Sequence, residues 1–144
     1  MTLEDETATA EAGADLAKLI RAGDVVTLTG DLGAGKTTLV RGLLKALGHD
    51  GEVPSPSFAI VQPYEDLDPP VWHADLYRLE NSAELAELGL DSLGDSVLVV
   101  EWPERAGEGA WPEALRLTLE ILDPKRRRLT AEVPAAWEGR WPPR

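Results

Sequence analysis

Hydrophobic and polar positions change their spacing several times along the chain, and each change predicts a new element. Near the N-terminus the apolar residues recur at helical spacing, at Ala8, Ala12, Leu16, Leu19 and Ile20. Thr7 is the expected N-cap of this helix, and Gly23 is placed to end it. The chain therefore starts with a predicted amphipathic helix.

The next change of spacing predicts a strand, a glycine loop and a helix. Residues 24–29 form a short segment that is rich in β-branched residues, which is typical of a buried strand. A glycine-rich turn follows directly. Helical spacing then returns, at Leu39, Leu43, Leu44 and Leu47. Gly48 supplies the expected stop.

The rest of the chain predicts strands more than helices. Strands are expected at residues 58–61, 71–74 and 97–100, and a short helix over 83–88. Because residues 97–100 are all apolar, that strand should be buried on both faces. Residues 115–121 and 129–133 alternate around a turn at Asp123-Pro124 and predict an antiparallel hairpin with one wetter face. One mixed α/β domain over residues 1–144 follows.

The composition excludes several classes of site and of protein. The 144 residues include no cysteine and carry a formal net charge of −12. Disulfides, thiolate metal sites and thiol catalysis are therefore excluded. No apolar run approaches the length of a membrane span, and the acidic start is unlike a signal peptide, so a cytoplasmic protein without membrane contact is expected. Excess negative charge disfavours DNA or RNA binding by the bulk surface.

The charge is unevenly spread. Residues 125–144 carry six of the 14 basic residues but only two of the 26 acidic ones, with Trp137 and Trp141 between them. A basic, tryptophan-containing tail of this kind can contact RNA or an acidic protein surface. The simpler interpretation is a solvated strand edge protected by charge.

One motif carries chemistry. Residues 30–37 match the phosphate-loop pattern Gly-x-x-x-x-Gly-Lys-Ser/Thr in full, between a predicted strand and a predicted helix. Backbone N–H groups around Gly33, Ala34 and Gly35 can point at phosphate oxygens, helped by the helix N-terminus. Lys36 supplies a mobile charge for the β- and γ-phosphates, and the Thr37 hydroxyl can bind Mg²⁺. Thr38 can help to hold the α-phosphate.

A site of this kind also needs a carboxylate at the end of a neighbouring strand, to hold Mg²⁺ and to orient the attacking water. Glu101 follows the predicted strand 97–100, and Asp75 follows 71–74. Either can orient the water. Ser55 and Ser57 lie after the first helix of the loop unit, where switch segments sense the γ-phosphate.

Further blocks accompany the phosphate loop in order along the chain: Val53–Phe58, His73–Arg78, Glu87–Gly89 and Glu101–Trp102. Together they resemble the TsaE (YjeE) family over roughly residues 5–133. Members of this family are small P-loop ATPases that act in bacterial threonylcarbamoyladenosine (t6A) modification of tRNA with the TsaB–TsaD complex. The resemblance implies a P-loop NTPase-like fold, with a mixed, largely parallel sheet flanked by helices.

The resemblance also implies roles for individual residues. Residues 33–38 would bind the phosphates of ATP, Thr37 and Glu101 would bind Mg²⁺, and Asp75 would be the second catalytic acid. Further positions near the nucleotide would be the switch residue Ser57, Trp102, Thr7, and one of Arg127 or Arg128. TsaB–TsaD would be the partner, with tRNA contacted through that complex. Ser57 departs from the family's usual threonine but keeps the hydroxyl.

Other side chains have structural explanations. His73 is expected to be a hydrogen-bonded structural residue, since His49 is the only other histidine. Arg78 is expected to pair with an acid rather than to act as an arginine finger. Tyr77 and Trp72 are expected to pack.

Three functions compete at this point. The first is an ATPase that is slow alone and coupled to a partner complex, with Lys36 and Mg²⁺ stabilising charge on the transferred phosphoryl group. The second is a small-molecule kinase, although no acceptor segment or long lid is visible. The third is a nucleotide-dependent binding module without essential hydrolysis. A GTPase is disfavoured because the only asparagine, Asn81, is not in an Asn-Lys-x-Asp loop.

Overall fold

The computed structural model describes residues 1–31, 33–51, 53, 61–79, 94–107 and 110–141. Two α-helices occur in them, α1 (Glu6–Ala17) and α2 (Lys36–Ala46). The strands are β1 (Thr2–Leu3), β2 (Val25–Thr29), β3 (Val61–Tyr64), β4 (Val71–Asp75), β5 (Val97–Glu101), β6 (Leu115–Ile121) and β7 (Arg127–Glu132). Short 3₁₀ turns span Pro103–Ala106 and Ala135–Trp137. No helix of the described ranges is long and apolar enough to cross a membrane.

All of these strands join one sheet in the order β1-β7-β6-β2-β5-β4-β3. The four central strands, β6, β2, β5 and β4, pair in parallel, whereas β3 and the β7 and β1 side pair antiparallel. This is the mixed, largely parallel sheet with a C-terminal antiparallel hairpin that the sequence and its resemblance predict, and the fold class is confirmed. Every residue of β5 is buried, as its apolar run predicts.

Strand register places the chemistry at one edge. In the parallel pairing of β4 with β5, Asp75 lies opposite Glu101, and in that of β2 with β5, Leu28 lies opposite Glu101. The glycine loop begins directly after β2. Because parallel strands end at the same edge of the sheet, the loop and both carboxylates meet there.

The two helices pack closely on one face of the sheet. A Cβ atom added at Gly13 in α1 would collide with the carbonyl of Leu39, and one added at Gly42 in α2 would collide with the carbonyl of Ala10. The helix spacing in the sequence does not reveal this crossing. It brings the start of α1 beside the glycine loop, where the Thr9 methyl lies 3.4 Å from the position of a Cβ at Gly35.

Two predictions about the ends of α1 are wrong. The N-cap is Asp5 rather than Thr7: its carboxylate accepts a 2.8 Å hydrogen bond from the Ala8 N–H, the third helical position, where a capping side chain is usually bound. The helix ends at Ala17, well before Gly23. Gly23 instead has a φ of +89° in the turn that leads into β2.

Most of the other predicted elements occur with small shifts of their ends. The structure describes the predicted strand at 58–61 only from Val61, where β3 begins, and the predicted helix over 83–88 lies outside the described residues. The hairpin of β6 and β7 alternates between buried and exposed positions in β6, as predicted. In the turn, the Asp123 carboxylate accepts hydrogen bonds from the Arg126 N–H, the Arg126 guanidinium and the Lys125 N–H. These bonds lower the pKa of Asp123 to about 2.

The basic tail is not the separate electrostatic unit that its composition suggests. Trp137 is completely buried, and Arg140 binds the Asp24 carboxylate with two hydrogen bonds of 2.7 and 3.0 Å. Nor is β7 a solvated edge along its whole length, because Arg127 and Arg128 pair with β1. Much of the tail is therefore part of the folded core, up to its last described residue, Trp141.

Candidate functional site

A cavity of about 420 Å³ opens at the edge of the sheet where β2, β4 and β5 end. Its lining contains the phosphate loop, both candidate carboxylates and two aromatic rings: Gly33, Gly35, Lys36, Thr37, Thr38, Asp75, Tyr77, Arg78, Glu101 and Trp102. The structure thus brings together most of the residues that the sequence proposes for a nucleotide site. Ala34 is fully buried behind the loop.

The loop delivers the N-terminus of α2 to this cavity. Gly35 is the N-cap residue and has a φ of +101°, a left-handed conformation that glycine adopts without steric cost. The first N–H groups of a helix have no partner within the helix, and they carry the positive end of its dipole. Lys36, Thr37 and Thr38 form the first turn of α2, so this turn can bind an anion.

Lys36 is buried and unusually partnered. Its ammonium donates a 2.5 Å hydrogen bond to the Gly30 carbonyl and lies 3.7 Å from the centroid of the Trp102 ring. Within the described ranges it forms no ion pair shorter than 4 Å. Burial lowers the pKa of Lys36, and the carboxylates of Glu101 and Asp75 oppose that shift. The ammonium is therefore able to form an ion pair with an anionic ligand in the cavity.

Trp102 adopts a strained backbone conformation to reach this position. Its φ and ψ are 60° and 49°, which bulky side chains rarely adopt. The ring contacts Tyr77 at a centroid distance of 4.9 Å. The prediction that Tyr77 is only a packing residue is incomplete, since it also lines the cavity and is 39% exposed. Strain of this kind is most often kept where a ligand binds.

The two carboxylates are held differently. Burial raises the pKa of Asp75, although the Tyr77 N–H donates a 2.9 Å hydrogen bond to its Oδ1 and works in the opposite direction. Glu101 is only 3% exposed, and its Oε2 lies 2.5 Å from Nε2 of His73. The expectation that His73 is a hydrogen-bonded residue is confirmed. Its partner is a candidate site residue, which the sequence does not reveal.

A second cavity of about 490 Å³ adjoins the first and shares Gly33, Gly35 and Thr38 with it. The remaining lining comes from the start of α1 and the β6–β7 turn: Asp5, Glu6, Thr9, Pro124, Lys125 and Arg127. Thr7 is exposed and lines neither of these two cavities. Asp5, Glu6 and Thr9, which the sequence analysis does not select, occupy the place expected for it.

The structure distinguishes between the two candidate arginines. The Arg127 guanidinium donates to the loop carbonyls of Ala34, at 3.1 Å, and Gly33, at 3.2 Å. Arg128 instead lies 3.9 Å from the Glu120 carboxylate on an exposed part of the hairpin. Arg127 thus reaches the phosphate loop and holds its backbone, whereas Arg128 does not.

The first cavity suits a cation that is shared with a phosphate ligand. Among the residues that the structure describes, no group of three or more histidine and acidic side chains could hold a metal alone. Mg²⁺ usually takes one or two carboxylates and completes its shell with water and phosphate oxygens. Asp75, Glu101 and the Thr37 hydroxyl supply such a partial set. Ser55 and Ser57, proposed as switch residues, lie outside the described part of the chain.

Comparisons with known proteins identify the family of this chain. The family model described as "Threonylcarbamoyl adenosine biosynthesis protein TsaE" matches residues 3–129. A Streptomyces coelicolor protein named tRNA threonylcarbamoyladenosine biosynthesis protein TsaE is 51% identical over 114 residues, which are 76% of this chain and 77% of that one. A Bacillus subtilis protein of the same name is 40% identical over 116 residues, 79% of this chain and 72% of its own.

A solved structure extends the likeness to the fold. The crystal structure of YdiB from Bacillus subtilis superposes with a TM-score of 0.80 at 32% identity, and the match covers 96% of this chain and 87% of that one. The family match begins in β1 and ends in β7, so it includes all the cavity residues named above. The chain belongs to the TsaE family of tRNA threonylcarbamoyladenosine biosynthesis proteins.

Proposed function

We propose that this protein binds and hydrolyses ATP in the presence of Mg²⁺, and that hydrolysis drives turnover of the TsaB–TsaD complex during t6A modification of tRNA. The observation that carries the proposal is the meeting of the phosphate loop, Lys36 and two strand-end carboxylates in one cavity. A glycine loop alone would bind phosphate. The carboxylates add the means to hold a metal and to activate water.

Lys36 is the proposed phosphate-binding cation. In the structure its ammonium is held by a carbonyl and a tryptophan ring rather than by an ion pair, and both contacts are weaker than a charged hydrogen bond to phosphate. Thr37 and Thr38, in the first turn of α2, add N–H and hydroxyl groups to the same wall. Bound Mg²⁺ would supply further positive charge against the transferred phosphoryl group.

The environments of the two acids suggest a division of roles that their sequence leaves open. Burial raises the pKa of Asp75, which makes this carboxylate a better proton acceptor than an exposed aspartate. Glu101 contacts the buried His73 ring through its Oε2 atom. This contact suits a carboxylate that must keep a fixed position. We assign Asp75 to the orientation of the attacking water, and Glu101 with Thr37 to Mg²⁺.

The second cavity gives the nucleoside a place to lie. Because it shares three loop residues with the first, a ligand whose phosphates follow the loop can extend into it. Its walls include polar groups of Asp5, Thr9 and Arg127, which can contact a ribose or an adenine ring. ATP is therefore the proposed cofactor, with Mg²⁺.

Indirect contact with tRNA is compatible with the internal contacts that basic side chains of the tail make. Arg127 is engaged with the glycine loop and Arg140 with Asp24, so two of the tail's cations already have internal partners. Contact with RNA through the TsaB–TsaD complex, as the family resemblance implies, does not require them.

Phosphate release from Mg-ATP, with and without purified TsaB–TsaD, tests the proposal. We expect slow release by the protein alone, a marked increase with the pair, and loss of both in the Asp75→Asn variant. The exposed Asp95→Asn variant is the matched control and should behave as wild type. Indifference to the pair would contradict the coupling. Transfer of phosphate to a metabolite would indicate a kinase, and repeated partner turnover by a non-hydrolysing variant would indicate a binding module.

A further inference from the structure

His73 lies beneath the floor of the first cavity and is completely shielded from solvent. It stands in the buried strand β4, between Trp72 and Ala74. An imidazole in such a place loses its contacts with water, which is costly unless its polar atoms are paired. Nε2 is paired with Oε2 of Glu101, and Nδ1 has no hydrogen-bond partner among the described residues.

The strand register explains why the two side chains meet. His73 lies opposite Val99 in the pairing of β4 with β5, and Asp75 lies opposite Glu101. Side chains two residues apart on a strand share one face of the sheet. His73, Asp75 and Glu101 therefore form one group on the helix-bearing side, where Val71, Val97 and Val99 join the main core.

We propose that His73 is a positioning residue that fixes the Glu101 carboxylate for Mg²⁺ binding. This inference rests on the proposed function and deepens it. In this role the ring donates its Nε2–H to Oε2, because a carboxylate that binds a metal ion is ionised and can only accept. With Oε2 held, the other oxygen of Glu101 keeps both of its lone pairs for a ligand in the cavity, and the carboxylate does not need to be ordered when that ligand binds.

The burial of the pair gives the contact its strength. Glu101 is 3% exposed and His73 is not exposed, so water does not compete for this hydrogen bond. Groups that orient a metal ligand commonly change metal affinity by about 10- to 100-fold when they are removed. The sequence signal for this residue is its place two positions before Asp75 in the same strand.

Two substitutions separate positioning from packing. Glutamine can place its side-chain NH₂ group close to the position of Nε2, whereas asparagine is too short to do so. We therefore expect His73→Asn to lose about 10- to 100-fold of the Mg²⁺-dependent gain in ATP affinity, and His73→Gln to recover much of it. Val71→Ala, which removes buried volume from the same face of β4, should keep the gain. Calorimetric titration of ATP, with Mg²⁺ and with EDTA, measures all three.

A spectroscopic measurement on the ligand-free protein needs no substitution. The chain has two histidines, so ring N–H signals in an NMR spectrum can be assigned to His49 or His73. We expect a downfield, slowly exchanging Nε2–H signal from His73 that shifts in Glu101→Gln. Its absence in the wild type would overturn the inference even if His73→Asn failed to fold.

The outcomes separate this inference from the proposed function. If the wild type shows no Mg²⁺-dependent ATP binding, the proposed function fails, and this inference fails with it. If the wild type shows that dependence and His73→Asn keeps it in full, only the inference is overturned. An equal loss in Val71→Ala would also overturn it, because packing alone would then explain the effect.

Discussion

In the part of the chain that the structure describes, two basic side chains lie over tryptophan rings, and they are partnered in opposite ways. The Arg140 guanidinium is 4.0 Å from the centroid of Trp137 and makes two hydrogen bonds to the Asp24 carboxylate. The Lys36 ammonium is 3.7 Å from the centroid of Trp102, but its hydrogen bond goes to a neutral carbonyl. A basic side chain over a tryptophan ring therefore occurs once with a carboxylate at hydrogen-bonding distance and once without.

The difference indicates which cation is structural and which serves a ligand. Arg140 also donates to the carbonyls of Leu19 and Ala136, so it ties the tail to the body of the protein. Lys36 keeps a partly desolvated charge beside Asp75 and Glu101, at a cost in stability that binding sites often carry. Cation–π contacts alone would not distinguish the two, and the carboxylate partner does.

Removal of the Lys36 charge should have the largest effect on activity. We expect Lys36→Ala to lower kcat for ATP hydrolysis by at least about 100-fold, the usual cost of losing one donor to the transition state. Phosphate release and thermal melting of the same preparation measure activity and stability together. The control is Lys45→Ala in the last turn of α2, which is exposed and should keep full activity. Equal losses in both variants would contradict the role given to Lys36.

The complementary change is Arg140→Ala, which should affect stability and leave catalysis alone. We expect the free energy of unfolding in urea to fall by about 2–4 kcal/mol, because the largely buried Asp24 carboxylate would lose the guanidinium and keep only the Arg21 N–H among its hydrogen-bond donors in the described part of the chain. A double-mutant cycle with Asp24→Asn should show strong coupling between the two sites. A kcat that falls while stability is unchanged would reverse the comparison.

The neighbouring arginines of the hairpin, Arg127 and Arg128, should also differ in their effects, by smaller amounts. We expect Arg127→Ala to weaken ATP binding by about tenfold, since the loop loses charge-assisted hydrogen bonds to two of its carbonyls. Arg128→Ala removes only an exposed ion pair and should change stability by less than about 1 kcal/mol, with no effect on binding. Calorimetry and urea unfolding of both variants check this. If Arg127→Ala and Arg128→Ala bound ATP with equal affinity, the role of Arg127 in holding the loop would be contradicted.

The smallest expected effect is on the pH dependence of stability. Burial raises the pKa of Asp75 above its usual 3.8, so the folded state binds this proton more tightly than the unfolded state does. The contribution of Asp75 to the stability of the wild type should therefore fall as pH rises through the raised pKa. Asp75→Asn should therefore be more stable than the wild type at pH 7, and the difference should shrink towards pH 4. Urea unfolding across this range measures it, and a difference that grows at low pH would contradict the assignment.

Local patterns predict the parts of the site that are local in the chain. The phosphate loop is continuous, and the carboxylates can be found because each stands at the end of a short run that predicts a strand. The capping residue of α1 is less certain, since Glu4, Asp5, Glu6 and Thr7 stand in a row. Only the structure shows that the Asp5 carboxylate accepts the Ala8 N–H.

Contacts between distant parts of the chain are harder to predict. His73 and Glu101 meet through the register of two strands, and Asp24 and Arg140 are 116 positions apart. In both cases the residue type is visible in the sequence but the partner is not. The tail composition therefore suggests a solvated basic segment, whereas long-range packing makes much of its described part, up to Trp141, part of the core.

A crystal structure with Mg²⁺ and a non-hydrolysable ATP analogue would show directly whether this cavity binds the nucleotide and the metal. We expect phosphates along residues 33–38, with the Lys36 ammonium moved from the Gly30 carbonyl to a phosphate oxygen. We also expect the metal between Thr37, Glu101 and the phosphates. Phosphates bound elsewhere, or a Lys36 ammonium that remains on Gly30 while the analogue is bound, would contradict these expectations.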